Sequence, residues 1–289
     1  MMTRRIYNWQ CRDSTVVLGR RTLVMGILNV TPDSFSDGGH YSDPSAAVDR
    51  ALEMVAQGAD IIDIGGESTR PGAAPVQAEE EIGRTVPVIQ RLREQSDVLV
   101  SIDTMKADTA TRALEAGADI INDVSALEAD PGMVDVAAET QAGLVLMHMK
   151  GSPQTMQNHP DYESVVREVG VYLSERLHFA QEHGVARNRI AIDPGIGFGK
   201  TVEHNLELLR GLPRLAECDA PLLAGVSRKS FIGRILNREN PMERRAGSLG
   251  AAAWAVMRGA HILRTHDVID TCDVCGLVDT LLSGDNSCS

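Results

Sequence analysis

Aromatic side chains are scarce, with four Phe, four Tyr and two Trp in 289 residues. A base-stacking platform needs several rings along one groove, so a nucleic-acid surface is disfavoured. Positive charge is in deficit too: 28 Lys and Arg stand against 40 Asp and Glu, a net charge of −12. Such a chain repels phosphate polymers and anionic membrane surfaces. Cysteine is sparse and irregular, at Cys11, Cys218, Cys272, Cys275 and Cys288. An odd count of five builds no disulfide framework and points to a reducing, cytoplasmic compartment. Long apolar runs are missing as well. The longest, at 251–257, is far below the roughly 18 residues of a membrane span. The basic start MMTRRIYNWQCRDSTVVLG has no apolar core of the kind that marks a secretory signal. The sequence therefore points away from nucleic acid and membrane and toward small-molecule chemistry.

What is present is enough for a sizeable core: 43% hydrophobic residues, to which 26 glycines add. Short β-branched runs at 22–30, 61–64, 98–102, 120–124, 144–149, 190–192, 222–226 and 262–264 alternate with longer segments of helical period. Ile82, Val86, Ile89 and Leu92 repeat at helical spacing, as do Val165, Val169, Tyr172 and Leu177, so each set is expected on one buried helix face. A last helical segment carries Val268, Cys272, Cys275 and Val278. Eight strands each followed by a helix is the count of a closed (β/α)₈ TIM barrel, and no linker splits the chain into two domains. A weak repeat, Gly58-Ala-Asp-Ile-Ile, Gly117-Ala-Asp-Ile-Ile and Gly259-Ala-His-Ile-Leu, fits a glycine that stops each helix before a strand begins. Three connections, 31–42, 65–77 and 150–161, exceed the usual two to six residues and leave the C-terminal ends of their strands, the rim where barrels place active sites.

Polar residues gather at that rim: Asn29, Asp63, Glu67, Asp103, Asn122, Asp123, His148, Asp193, Arg228 with Lys229, and Arg264 with His266 and Asp267. Each alone fits a satisfied structural group, but together they favour an active site. Asp103, Asn122 and Asp193 complement a flat heterocycle with adjacent amino, ring N–H and keto groups. Arg70, Lys229, Arg264 and His266 suit an anion, which in a net-acidic protein needs a local positive patch. One ligand with a heterocyclic and a phosphorylated end satisfies both. Three patterns invite over-reading. The run 195–201, GIGFGKT, lacks the Walker spacing because Pro194 stands where a glycine is required. Cys272 and Cys275 have no partner motif and read as two half-buried thiols on a helix. His148 follows an apolar run and reads as a core histidine standing behind the site.

Seven stretches in order resemble the bacterial dihydropteroate synthases of the pterin-binding barrel family: MGILNVTPDSFSDGG (25–39), GGESTRPG (65–72), SIDT (101–104), INDV (121–124), DPGIGFGK (193–200), GVSRKSFIG (225–233) and RTHD (264–267). The likeness runs from about Leu23 to Leu282, giving an N-terminal extension at 1–21, a barrel at 22–282 and a tail at 283–289. Thr265 stands where the family more often has valine, and strand alternation turns it away from the ligand. The resemblance implies a transferase of folate biosynthesis that joins 6-hydroxymethyl-7,8-dihydropterin diphosphate to 4-aminobenzoate, releasing pyrophosphate. It assigns Asp103, Asn122, Asp193 and Lys229 to the pterin, with Met147 lining the pocket. Asn29 falls to Mg²⁺, and Arg264 and His266 to the diphosphate. Thr69, Arg70, Pro71, Phe198 and Ser230 fall on the aminobenzoate side, with loops 31–39 and 66–72 closing over it. Catalysis is expected from Asp103, Asp193, Lys229, Arg264 and His266. A homodimer and sulfonamide sensitivity are further family expectations. Alternatives share part of this set: a pterin-dependent methyltransferase barrel, a Schiff-base aldolase using Lys229, and a non-catalytic pterin-binding paralogue. The first has no use for a pyrophosphate loop, the second needs a neutral amine, and the third would have lost motif residues that stand here.

Overall fold

The computed structural model describes residues 4–31, 44–68, 75–151, 156 and 160–283. An antiparallel hairpin comes first, β1 (Tyr7–Cys11) and β2 (Ser14–Leu18). Strands and helices then alternate: β3 (Leu23–Asn29), α1 (Pro44–Ala56), β4 (Ile61–Gly65), α2 (Ala78–Arg93), β5 (Leu99–Asp103), α3 (Ala107–Glu115), β6 (Ile120–Asp123), α4 (Met133–Thr140) and β7 (Gly143–Met147). The chain continues with α5 (Val165–Glu182), β8 (Ile190–Asp193), α6 (Val202–Leu215), β9 (Leu223–Gly225), α7 (Ser230–Leu236), α8 (Arg245–Met257), β10 (Ile262–Thr265) and α9 (Val268–Ser283). The parallel strands pair in the order β8-β7-β6-β5-β4-β3-β10-β9, and a bridge from Ile192 to Leu222 brings β8 beside β9. This is the expected single (β/α)₈ barrel, with one helix more than expected after β9.

The glycine repeat has a structural meaning. Gly58, Gly117 and Gly259 are left-handed, and the next N–H, of Ala59, Ala118 or Ala260, bonds back five residues to Met54, Ala113 or Ala255. Each helix therefore ends in a Schellman-type turn that only glycine adopts without strain. The third residue of each unit then fixes strand register. Asp60 accepts from the N–H of Val24, Asp119 from that of Val100, and His261 from that of Leu222.

One helix face differs from the sequence expectation. In α2 the buried residues are Glu81, Thr85, Val88, Ile89 and Leu92, while Ile82 and Val86 are half-exposed. The face is rotated because Glu81 enters the interior to meet Lys106 (2.7 Å) and Thr109 (3.2 Å). In α5 Val165, Val169 and Leu177 are buried as expected, joined by Val166 and Leu173, and only Tyr172 departs, half-buried with its hydroxyl reaching out to Glu128 at 3.0 Å.

The hairpin carries no family signal in the sequence, yet it forms the floor of the barrel. Trp9, Cys11 and Leu18, each 0% exposed, pack on the inward residues at the strand starts, among them Leu23, Ile61, Ile120, Val145 and Ile262. The Trp9 indole N–H donates to the Arg189 carbonyl at 2.8 Å, so its polar tip is satisfied in the core. Arg4 ties the segment to Thr22, to the Ala260 carbonyl and to Asp279 on α9. His261 reaches it through the Arg5 carbonyl at 3.0 Å. The larger apolar cluster lies between strands and helices, and a small one of Val124, Met147, Met156 and Phe198 lies toward the mouth.

Candidate active site

Strand residues alternate between the barrel interior and the helix layer. Because Ile61, Ile120, Ala191 and Ile262 belong to the interior floor, the residues two positions on also face inward: Asp63, Asn122, Asp193 and Arg264. One step higher come Asp103 and Met147, and Ser101 shares the inward face of β5. The same rule sends Asp123 outward. Its carboxylate accepts from the N–H groups of Ser125 (2.8 Å) and Leu127 (2.7 Å), a turn-capping role.

Arg264 ties the acidic groups together. Its Nε donates to Asp63 Oδ2 at 2.5 Å and its Nη2 to Asp103 Oδ2 at 2.5 Å, while Asn122 Nδ2 donates to Asp63 Oδ2 at 3.2 Å. Asp63 is 0% exposed and Asp103 is 7%. Burial pushes the Asp103 carboxyl up from its ordinary value, with Arg264 pulling against it. Among the described residues, Asp63 Oδ1, Asp103 Oδ1 and the Ser101 hydroxyl are buried without a partner. Unpaired buried acceptors are costly, so Asp63 Oδ1 and Asp103 Oδ1 each retain the capacity for a further hydrogen bond.

Across the mouth, Asp193 accepts the Gly195 N–H at 2.7 Å. Burial raises its carboxyl, opposed by that N–H and by Lys229. The Lys229 ammonium lies 4.0 Å from the centre of the Phe198 ring, a cation–π contact. Burial and Arg264 push this lysine down to about 8, with Asp193 and Asp103 pulling the other way. Met147 and Phe198 form one apolar wall with Val124 and Met156. His266 is pushed down to about 3 by burial and by Arg264 and Arg228, and its Nδ1 meets the Ser227 hydroxyl at 3.0 Å. It is neutral, so it offers a hydrogen bond to an anion but no charge.

The remaining candidates divide cleanly. Asn29 is half-buried at the end of β3, and Ser230 is exposed at the first position of α7. Thr69, Arg70 and Pro71 lie outside the described residues, as do Phe35 and most of the long loops. Glu67 is taken up by Lys106, which also binds Glu81. Arg228 pairs with Asp267 (2.6 Å). Thr265 turns away from the mouth, as expected, and its hydroxyl accepts from Asp267 N (3.1 Å) and Thr271 Oγ1 (3.0 Å). Cys275 is buried and Cys272 half-buried on α9. His148 stands behind the site, where its Nδ1 receives the Lys200 ammonium at 2.9 Å. Sequence reasoning had named Asp63 without giving it a site role and had passed over Ser101 and Lys200. Period-two alternation could have found the first two.

Comparison with known proteins agrees with this geometry. The family model described as pterin binding enzyme matches residues 25–266. The chain is 49% identical over 263 residues to a dihydropteroate synthase of Synechocystis sp., covering 91% of each chain. It is 47% identical over 260 residues to that of Escherichia coli, covering 90% of this chain and 92% of the relative. Among solved structures, a Xanthomonas albilineans dihydropteroate synthase with 4-aminobenzoic acid superimposes with a TM-score of 0.90 at 46% identity, over 96% of this chain and 99% of that one. A Yersinia pestis dihydropteroate synthase in complex with a sulfonamide drug gives 0.90 at 43% identity, with the same coverage. The chain belongs to the pterin-binding enzyme family, in its dihydropteroate synthase branch.

Proposed function

We infer that the chain joins 6-hydroxymethyl-7,8-dihydropterin diphosphate to 4-aminobenzoate, yielding 7,8-dihydropteroate and pyrophosphate. One observation carries the reading: Asp103, Asn122, Asp193, Lys229 and Arg264 sit together at the mouth of a barrel of this family. The buried carboxylates and the Asn122 amide complement the amino, ring N–H and keto groups of the pterin. The reaction breaks the carbon–oxygen bond, and its electron pair departs with pyrophosphate. Positive charge then develops on the exocyclic methylene and spreads into the dihydropterin. Asp103 and Asp193 stabilise that charge more in the transition state than in the ground state. Arg264 supplies charge to the leaving diphosphate and His266 a hydrogen bond. The arylamine is neutral at pH 7, attacks the methylene carbon and loses a proton to solvent, so no strong base and no covalent enzyme intermediate is needed.

Among the described residues no three His, Cys, Asp or Glu side chains gather into a metal site. Asn29 offers a neutral side-chain oxygen of the hard kind that suits magnesium, and it would help hold such an ion, which when bound would supply neutralisation of charge on the leaving diphosphate. The aminobenzoate side takes in Phe198 and Ser230, with Thr69, Arg70 and Pro71 from the loop after β4.

The assembly is a homodimer in this reading. The support is an exposed apolar face of α9, where Ile269, Leu277 and Leu281 share one side of the helix and are each 52% exposed or more. An exposed patch of this kind marks an interaction surface. The activity is tested by mixing purified protein, pterin diphosphate, labelled 4-aminobenzoate and Mg²⁺. Labelled dihydropteroate is the expected product, and its absence with folded protein overturns the reading.

A further inference from the structure

The loop DPGIGFGK looks like a phosphate cradle, but its backbone polarity is reversed. In a phosphate-binding loop successive N–H groups converge on an anion. Here carbonyl groups converge on a cation that the chain itself supplies. The Lys200 ammonium donates to the carbonyls of Gly195 (2.9 Å) and Phe198 (2.8 Å) and to Nδ1 of His148 (2.9 Å). Each of its three protons thus has an acceptor, and all three acceptors are neutral. Lys200 is 3% exposed. A charge buried so deeply without a bonded counter-ion is expensive: burial pushes the lysine down to about 7, with the Asp193 carboxylate pulling the other way.

The shape of the turn leaves little slack. Gly195, Gly197 and Gly199 are all left-handed, and a Cβ on Gly195 would lie 1.8 Å from the His148 carbonyl oxygen. Asp193 is locked to the same turn through the Gly195 N–H, and the His148 N–H donates to the Asp193 carbonyl at 3.0 Å. Phe198, whose carbonyl Lys200 holds, carries the ring beneath Lys229.

We propose that Lys200 is a positioning residue acting chiefly on the pterin half of the site: clamped by His148, it fixes the turn that aims the Asp193 carboxylate at the pterin, and it sets the Phe198 ring at the edge of the aminobenzoate side. The proposal rests on the pterin reading above. It touches no substrate atom, so its effect passes wholly through those two side chains.

The test measures pterin diphosphate binding by calorimetry, and steady-state kinetics with each substrate varied. Lys200→Met is expected to weaken pterin binding roughly 10- to 100-fold, the scale of lost charge-assisted hydrogen bonds. The KM for 4-aminobenzoate at saturating pterin rises by a smaller factor, about threefold or less, because of the arylamine contacts only the Phe198 ring is served by the clamp. His148→Phe keeps a ring against Tyr172, now 4.9 Å away edge-on, but deletes the acceptor, and shifts pterin affinity the same way by less. His148→Asn, whose amide oxygen takes the place of Nδ1, restores affinity to within about threefold. Should Lys200→Met fail to fold, the two His148 variants decide. Folded variants that bind pterin like wild type overturn the proposal alone, and so does a set that fails to fold throughout, since the cluster then serves stability. A wild type that binds no pterin diphosphate overturns the pterin reading and the proposal with it.

Discussion

In the proposed reaction, Asp193 and Asp103 are the single residues on which the chemistry leans most. Each has one carboxylate oxygen bonded within the protein, to the Gly195 N–H or to Arg264. Replacing either by Asn keeps the shape and removes a charge, so kcat/KM is expected to fall on the order of 10- to 10²-fold, checked by steady-state kinetics on folded protein. His261 makes a different residue-scale statement. Its Nδ1 accepts from Leu222 and its Nε2–H donates to the Arg5 carbonyl, and burial, aided by Arg4, pushes it down to about 4. A histidine depressed in the folded state contributes stability above its ordinary value near 6.5 and loses it as pH falls toward 4. His261→Asn escapes this loss. Urea unfolding at several pH values should show the variant gaining on wild type by about 1.4 kcal/mol per pH unit across that window. The position of Asp103, Asn122 and Asp193 at the ends of their apolar runs made their place at the rim legible in the sequence. Nothing there announces Lys200, whose acceptors are two backbone carbonyls and a histidine 52 residues away.

Elements were legible where one physical rule dominated. The eight barrel strands are buried on both faces and therefore read as continuous apolar runs. The β1–β2 hairpin escaped because polar residues interrupt it and only Trp9, Cys11 and Leu18 in its two strands are fully buried. The α5 face was legible, with Val165, Val169 and Leu177 buried as expected, whereas the α2 face is rotated: Glu81 points inward because Lys106 and Thr109 wait there, a partnership between distant segments that periodicity cannot see. The hairpin is nonetheless expected to be a large contributor to stability. Trp9→Ala removes a fully buried indole and leaves the Arg189 carbonyl short of a donor, a cost of about 3–5 kcal/mol, measurable as a lower urea midpoint with an unchanged slope. Because Trp9 lies at the floor and the chemistry at the mouth, kcat of the protein that stays folded should be unchanged.

At the scale of the whole molecule, two predictions concern what the barrel meets. Leu277→Glu together with Leu281→Glu places charge in the α9 stripe, and sedimentation should show dimer converting to monomer; equal mass for wild type and variant removes this stripe from the interface. Sulfonamides, an aniline ring para to a group able to carry negative charge, should inhibit competitively against 4-aminobenzoate. Their binding should be tight only after pterin and pyrophosphate with Mg²⁺ have completed the pocket, and equal calorimetric affinity for the unliganded and loaded protein would count against that order. A last consequence follows from how the two ends of the described chain are tied. Arg4 binds Asp279 in the final turns of α9, so both ends leave from the floor, on the face opposite the mouth. A surface or antibody fragment that grips the molecule at the Arg4–Asp279 corner would leave the mouth turned toward the flowing solution.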